Sequence, residues 1–90
     1  MERADFEREL IRDGYEIVAR TMAPNTINPD HTHDFDARVL VTEGEIVIRM
    51  NGEPRRFLPG EWCAVPAGTV HSEQCGPAGV AYVAGRRRLA

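Results

Sequence analysis

Three histidines are the side chains of this 90-residue sequence best suited to binding chemistry. His31 and His33 are separated by one residue, so on an extended strand they share a face and lie about 6.6 Å apart. Both imidazoles could then reach one metal ion at about 2.0–2.1 Å from each nitrogen. If the intervening turns fold a later strand against this pair, His71 completes the set. The histidines therefore predict a site for a divalent ion such as Zn, Fe, Ni or Mn.

The start of the chain predicts one short helix. Phe6 and Leu10 are four residues apart and would share a helix face. Gly14 supplies the left-handed conformation with which helices often end. We therefore expect a helix over Arg3–Arg12, within an N-terminal segment 1–14 that precedes the β structure.

From residue 15 onward, short apolar runs alternate with turn residues, as is typical of a β-sandwich or barrel. The Asn51-Gly52 dipeptide is the strongest hairpin signal in the chain. Further turns are expected at Glu43-Gly44, at Pro59-Gly60, and from Gly76-Pro77 to Gly79. About eight short strands follow from this reading, and five of them are Tyr15–Thr21, Val39–Val41, Ile46–Met50, Trp62–Val65 and Val80–Ala84.

Two stretches around the histidines resemble the paired sequence motifs of the cupin superfamily. His31–Gly44 (HTHDFDARVLVTEG) resembles the first motif, and Gly60–His71 (GEWCAVPAGTVH) resembles the second. The resemblance implies an all-β fold: a single cupin domain over residues 1–90, with an antiparallel jelly-roll barrel over 15–90. It also implies a metal ion and a small-molecule substrate or ligand in the barrel mouth, and a homodimer.

The sequence departs from the family pattern at one ligand position. Where the family usually has a glutamate ligand, this chain has Ala37. A bulge could turn Asp36 inward as a replacement fourth ligand. Glu73 lies two residues past His71 and shares its face on a regular strand, so it could bind the metal or act as a general base in catalysis. Without a fourth ligand, the site resembles the three-histidine iron centre of the thiol dioxygenase branch.

Composition and charge limit the partners and the cellular location that we expect for this protein. A net charge of −3 argues against a nucleic-acid partner. The basic run Arg86–Arg88 is interpreted as a solvated tail, with contact to an anion or a partner as the alternative. No apolar stretch approaches the roughly 20 residues of a membrane span, and the charged N-terminus is unlike a secretory signal, so a cytoplasmic location is expected. Cys63 and Cys75 are expected to be unbridged thiols.

These observations lead to two function classes. The first is a metal-dependent enzyme of the oxygenase or isomerase type that acts on a small organic molecule. The alternative is a non-catalytic ligand-binding or sensor module, whose output would pass through a partner because the sequence contains no helix-turn-helix segment. A purely structural metal is a weaker third option.

Overall fold

The computed structural model describes residues 1–88, in which one helix and six strands are present. Their bounds are α1 Arg3–Arg12, β1 Glu16–Met22, β2 Ile27–His31, β3 Phe35–Met50, β4 Glu53–Phe57, β5 Trp62–Val65 and β6 His71–Arg88. All strand pairs are antiparallel. The prediction of a mostly β, antiparallel protein with one short N-terminal helix is confirmed.

The helix forms where the sequence predicts it. Phe6 and Leu10 are its buried residues, and they pack against Leu40 of β3 and Val83 of β6. Gly14 follows the helix with a φ of +81°, a conformation that glycine adopts without steric cost. The helix thus covers the outer face of the sheet.

The two long strands, β3 and β6, organise the sheet into two layers. In the first layer the order is β2, the first half of β6, the second half of β3, and β4. In the second layer the order is β1, the second half of β6, the first half of β3, and β5. Each long strand therefore belongs to both layers, which is how a jelly-roll sandwich is built.

The main core lies between the two layers. Its buried side chains come from both of them: Val41, Ile46, Ile48, Phe57, Cys63, Val65, Cys75 and Val80. Both cysteines are free thiols, as expected. Burial raises the pKa of Cys63 to about 11, so this thiol stays protonated at neutral pH.

Two predicted turns are wrong. The chain does not reverse at Glu43-Gly44 or between Gly76 and Gly79, because β3 and β6 run through these positions with only local shifts in register. Gly44 and Gly79 have φ values of +73° and +81°, so glycines that predict turns in the sequence serve as bends within long strands.

The predicted barrel closure is not found. Within residues 1–88 the pairing ends at β2 and β4 in the first layer, and at β1 and β5 in the second.

No helix within residues 1–88 is long and apolar enough to cross a membrane.

The run Arg86–Arg88 is the end of β6, so its interpretation as a tail is wrong, although Arg86 and Arg88 are exposed to solvent as expected. The Arg87 guanidinium donates to the backbone carbonyl of Asp13 at 2.9 Å and lies over the ring of Tyr15. Arg88 pairs with Asp34. These contacts join the last strand to the helix end and to the start of β3.

Candidate metal centre

The structure brings together the three histidines that the sequence singles out. One potential ligand atom of each of His31, His33 and His71 lies within 4.8 Å of the others. The ring centroids of His31 and His71 are 4.2 Å apart, and that of His33 is 4.9 Å and 5.0 Å from the other two. His71 is buried, while His31 and His33 are partly buried.

Strand pairing produces this convergence. His31 ends β2 and is opposite His71, which begins β6. His33 lies in the connection to β3, where its backbone carbonyl accepts a hydrogen bond from the Gly68 N–H at 2.9 Å. The glycine turn before β6 therefore holds the backbone that carries the third imidazole.

Backbone carbonyls orient two of the imidazoles. Nδ1 of His31 lies 2.8 Å from the Pro29 carbonyl, and Nδ1 of His71 lies 2.9 Å from the Thr69 carbonyl. A carbonyl can only accept, so both Nδ1 atoms carry a proton, and in the neutral form of each ring it is Nε2 that offers a lone pair. Metal-binding histidines are usually oriented in this way.

The charge state of His33 also suits a ligand. Burial lowers the pKa of His33, and repulsion from His71 and His31 lowers it further. The neutral imidazole, which is the form that binds metals, is thereby favoured. The donor set therefore fits a divalent ion.

Glu73 is the acid nearest to the histidines. Its Oε1 atom lies 3.4 Å from Nε2 of His31 and 3.9 Å from Nε2 of His71, and its side chain is 17% exposed. This places a carboxylate beside the free lone pairs of two imidazoles. The expectation that Glu73 shares a face with His71 agrees with this geometry, and its role as ligand or base stays a prediction.

The structure does not bring Asp36 to the cluster. One of its carboxylate oxygens accepts a hydrogen bond from the Ala67 N–H at 2.9 Å, and the other lies 3.4 Å from the Arg87 guanidinium. Ala37 lines the site instead, as regular strand alternation requires, because β3 has no register shift at this point. The site thus has no carboxylate at the position of the family's usual glutamate.

A cavity of about 210 Å³ opens beside the histidines. Phe35, Ile48 and Tyr82 line it, whereas Trp62 packs against Phe6 of the helix. Burial raises the pKa of the Tyr82 phenol, and the charge of Glu73 raises it further. The pocket thus combines apolar walls with polar groups, among them the three histidines and Glu73.

Arg86 also lines the cavity, and the sequence interpretation missed it. The alternation of side chains along β6 could have indicated that Arg86 faces the cavity. Tyr82, Ala84 and Arg86 are spaced by two along β6, and all three line the cavity.

Comparison with known proteins supports the fold and the motif assignment. The family model described as "Cupin domain" matches residues 19–75, which include all three histidines and Glu73. The chain is also 39% identical over 56 residues to the HTH-type transcriptional activator RhaS of Mannheimia succiniciproducens. That match covers 62% of this chain but only 21% of the activator, so the chain spans about a fifth of that relative's length.

Two solved structures show the range of proteins with this fold. The DMSP lyase DddQ of Ruegeria pomeroyi superimposes with a TM-score of 0.74 at 23% identity, covering 81% of this chain and 38% of the lyase. The cupin domain of an XRE family transcriptional regulator from Enterobacter cloacae superimposes with a TM-score of 0.71 at 16% identity, covering 84% and 83%. At these identities the likeness concerns the fold.

Proposed function

Because the chain belongs to the cupin domain family, we propose that it is a metal-dependent enzyme that acts on a small organic molecule in the histidine-lined cavity. The observation that carries the proposal is the convergence of His31, His33 and His71 beside one cavity, with the Glu73 carboxylate next to them. A purely structural site has no need of a cavity or of a proton acceptor.

In this proposal the three imidazoles hold the ion, and His31 and His71 bind it through the nitrogens that the backbone carbonyls leave free. A divalent ion bound in this way supplies Lewis acidity to a carbonyl or hydroxyl oxygen. The apolar walls formed by Ile48 and Phe35 limit the water around the substrate, which strengthens electrostatic interactions in the site.

Glu73 is the group proposed to move the proton. A general base must lie within hydrogen-bond reach of the proton that it removes, either directly or through one water. Its Oε1 atom, 3.4 Å from Nε2 of His31, is adjacent to any substrate atom held at the histidines. A carboxylate in this place favours proton-transfer chemistry, as in an isomerase, over oxygenation.

A second candidate is a ligand-binding module without turnover. It is favoured by the 39% identity to part of a transcriptional activator and by the structural likeness to a regulator's cupin domain. In this case the cavity would bind a metabolite reversibly, and Glu73 would help to orient it. The histidine cluster is common to both candidates.

Metal content tests the first step of the proposal. The protein is purified without a histidine tag, loaded separately with Zn, Fe(II), Ni and Mn, desalted, and measured by elemental analysis. We expect about one ion per chain for at least one metal, and we expect loss of that ion in both His31→Ala and His71→Ala. Wild-type protein that retains none of the four metals would overturn the proposal.

Turnover separates the two candidates. The metal-loaded protein is incubated with small organic acids and carbonyl compounds, and the products are followed by NMR and oxygen uptake. A compound that raises the melting temperature and is converted supports the enzyme. A compound that raises the melting temperature but is unchanged after hours supports the binding module.

A further inference from the structure

Arg86 stands at the rim of the histidine cavity with its charge available to a ligand. It lines this cavity together with the three histidines and Glu73. Among the cavity-lining residues that the structure describes, it is the one with a permanent positive charge, since arginine is not deprotonated in proteins. A group that it binds on this side therefore lies in the same cavity as the proposed metal centre.

The neighbours of Arg86 on β6 are neutralised, whereas Arg86 is not. Arg87 pairs with Asp36, and Arg88 pairs with Asp34. Within residues 1–88, no carboxylate oxygen lies within 4.0 Å of the Arg86 guanidinium, although Glu16 is opposite it in the strand register. The guanidinium donors thus remain open to an anion from outside the chain.

Phe35 links Arg86 to the histidine cluster. The Arg86 guanidinium carbon lies 5.3 Å from the centre of the Phe35 ring, and that ring stacks on His33 with centroids 4.6 Å apart. Contact with an aromatic ring attracts a guanidinium while leaving its edge donors free. That edge matches the two oxygens of a carboxylate.

The size of the cavity limits the ligand. A volume of about 210 Å³ corresponds to roughly seven water molecules at about 30 Å³ each. This is below the usual range of about 300–1,000 Å³ for drug-sized ligands. One arginine in a small cavity that also holds the Glu73 carboxylate suits the single charge of a carboxylate better than a phosphate dianion.

We propose that Arg86 anchors the carboxylate of a small organic acid whose other end reaches the histidine cluster. This inference rests on the proposed function, because it names the substrate class of that same site. Arg86 is a binding and specificity-determining residue that fixes which end of the ligand faces the three imidazoles.

The test compares acids with their neutral amides. Propionate, lactate and pyruvate are titrated against propionamide, lactamide and pyruvamide, with inorganic phosphate as a further probe. Binding is followed by backbone-amide NMR shifts in the full chain, both zinc-loaded and chelator-treated. The variants are Arg86→Gln and the matched control Arg49→Gln, which removes the same charge at an exposed position outside the cavity.

We expect at least one acid to bind the wild type more tightly than its amide does, with shifts near Phe35 and Ala84. Arg86→Gln should weaken this binding about tenfold or more, as expected for a lost hydrogen-bonded charge pair, and Arg49→Gln should leave it unchanged. The inference is overturned if no acid binds, if amides bind equally, if phosphate is preferred, or if both variants weaken binding alike.

Zinc content keeps this test separate from that of the proposed function. Arg86→Gln should retain as much zinc as the wild type. Wild-type protein that retains no zinc would contradict the metal centre. Arg86-dependent binding of the acid to chelator-treated protein would still support the carboxylate anchor.

Discussion

The Oε1 atom of Glu73 lies 3.4 Å from Nε2 of His31, so a carboxylate and an imidazole from paired strands meet at the edge of one cavity. This relationship depends on the alternation of β6, which places Glu73 on the same face as His71. Ala37, at the usual position of the family's glutamate, lines the same cavity from the other layer of the sheet and offers no carboxylate. The acid in this site therefore comes from a different strand.

Replacing Glu73 with Gln distinguishes a proton-transfer group from a metal ligand. As a general base, Glu73 contributes about 10²–10⁴-fold to turnover, so Glu73→Gln should lower kcat by that factor while metal content stays near the wild-type value. Elemental analysis and steady-state kinetics on the substrate found by screening provide the two measurements. Glu53→Gln, on an exposed position of β4, is the matched control. Loss of the metal from folded Glu73→Gln would instead make Glu73 a ligand.

Asp36→Asn should leave metal content unchanged. The Asp36 carboxylate is engaged by the Ala67 N–H and by Arg87, and neither contact involves the histidines. We expect a small loss of stability, because one charged hydrogen-bond partner becomes neutral. Metal content is measured by elemental analysis and stability by urea unfolding. A folded Asp36→Asn protein that no longer retains metal would restore Asp36 as a ligand.

The sequence predicts much of the site because strand alternation is a local rule. On a regular strand it places Asp36 away from the cavity and Glu73 toward it, and because β3 has no bulge at Asp36 the structure agrees with both placements. The same rule would have placed Arg86 in the cavity had the strand been recognised. The strand was not recognised at this point because a run of three arginines has no alternation of apolar and polar residues, and the segment was therefore interpreted as a tail.

The helix and the Asn51-Gly52 hairpin are also readable from the sequence, since each depends on local backbone preferences. Asn51 and Gly52 have φ values of +51° and +82°, as their turn requires. The continuity of β3 through Gly44 is not readable in this way. A glycine at positive φ serves a turn or a bend equally well, and only pairing with a distant strand, here Val80 of β6, decides between them.

His33 should make the metal-free protein less stable in mild acid. Its pKa is lowered in the folded state, mainly by burial, so below about pH 6.5 the unfolded chain binds the proton more readily than the folded one does. Stability contributed by neutral His33 is therefore present at neutral pH and declines as the pH falls from about 6.5 toward the lowered pKa. In the presence of a chelator, the melting temperature should decline less steeply between pH 7 and 5 in His33→Gln than in the wild type. Equal slopes for the two proteins would contradict this assignment.

Gly44 should tolerate no side chain, because the backbone of β6 lies directly against it. A Cβ atom at Gly44 would lie 2.0 Å from the Gly79 carbonyl oxygen, and its φ of +73° is itself unfavourable for alanine. Gly68→Ala is the matched control, since Gly68 has a φ of +79° but nothing within 4 Å of the added atom. Backbone strain alone costs about 1–2 kcal/mol, so the free energy of unfolding of Gly68→Ala should fall by that amount. Urea unfolding should show a clearly larger loss of stability for Gly44→Ala, unless this variant fails to fold. Equal losses for the two variants would contradict the close contact between β3 and β6 at Gly44.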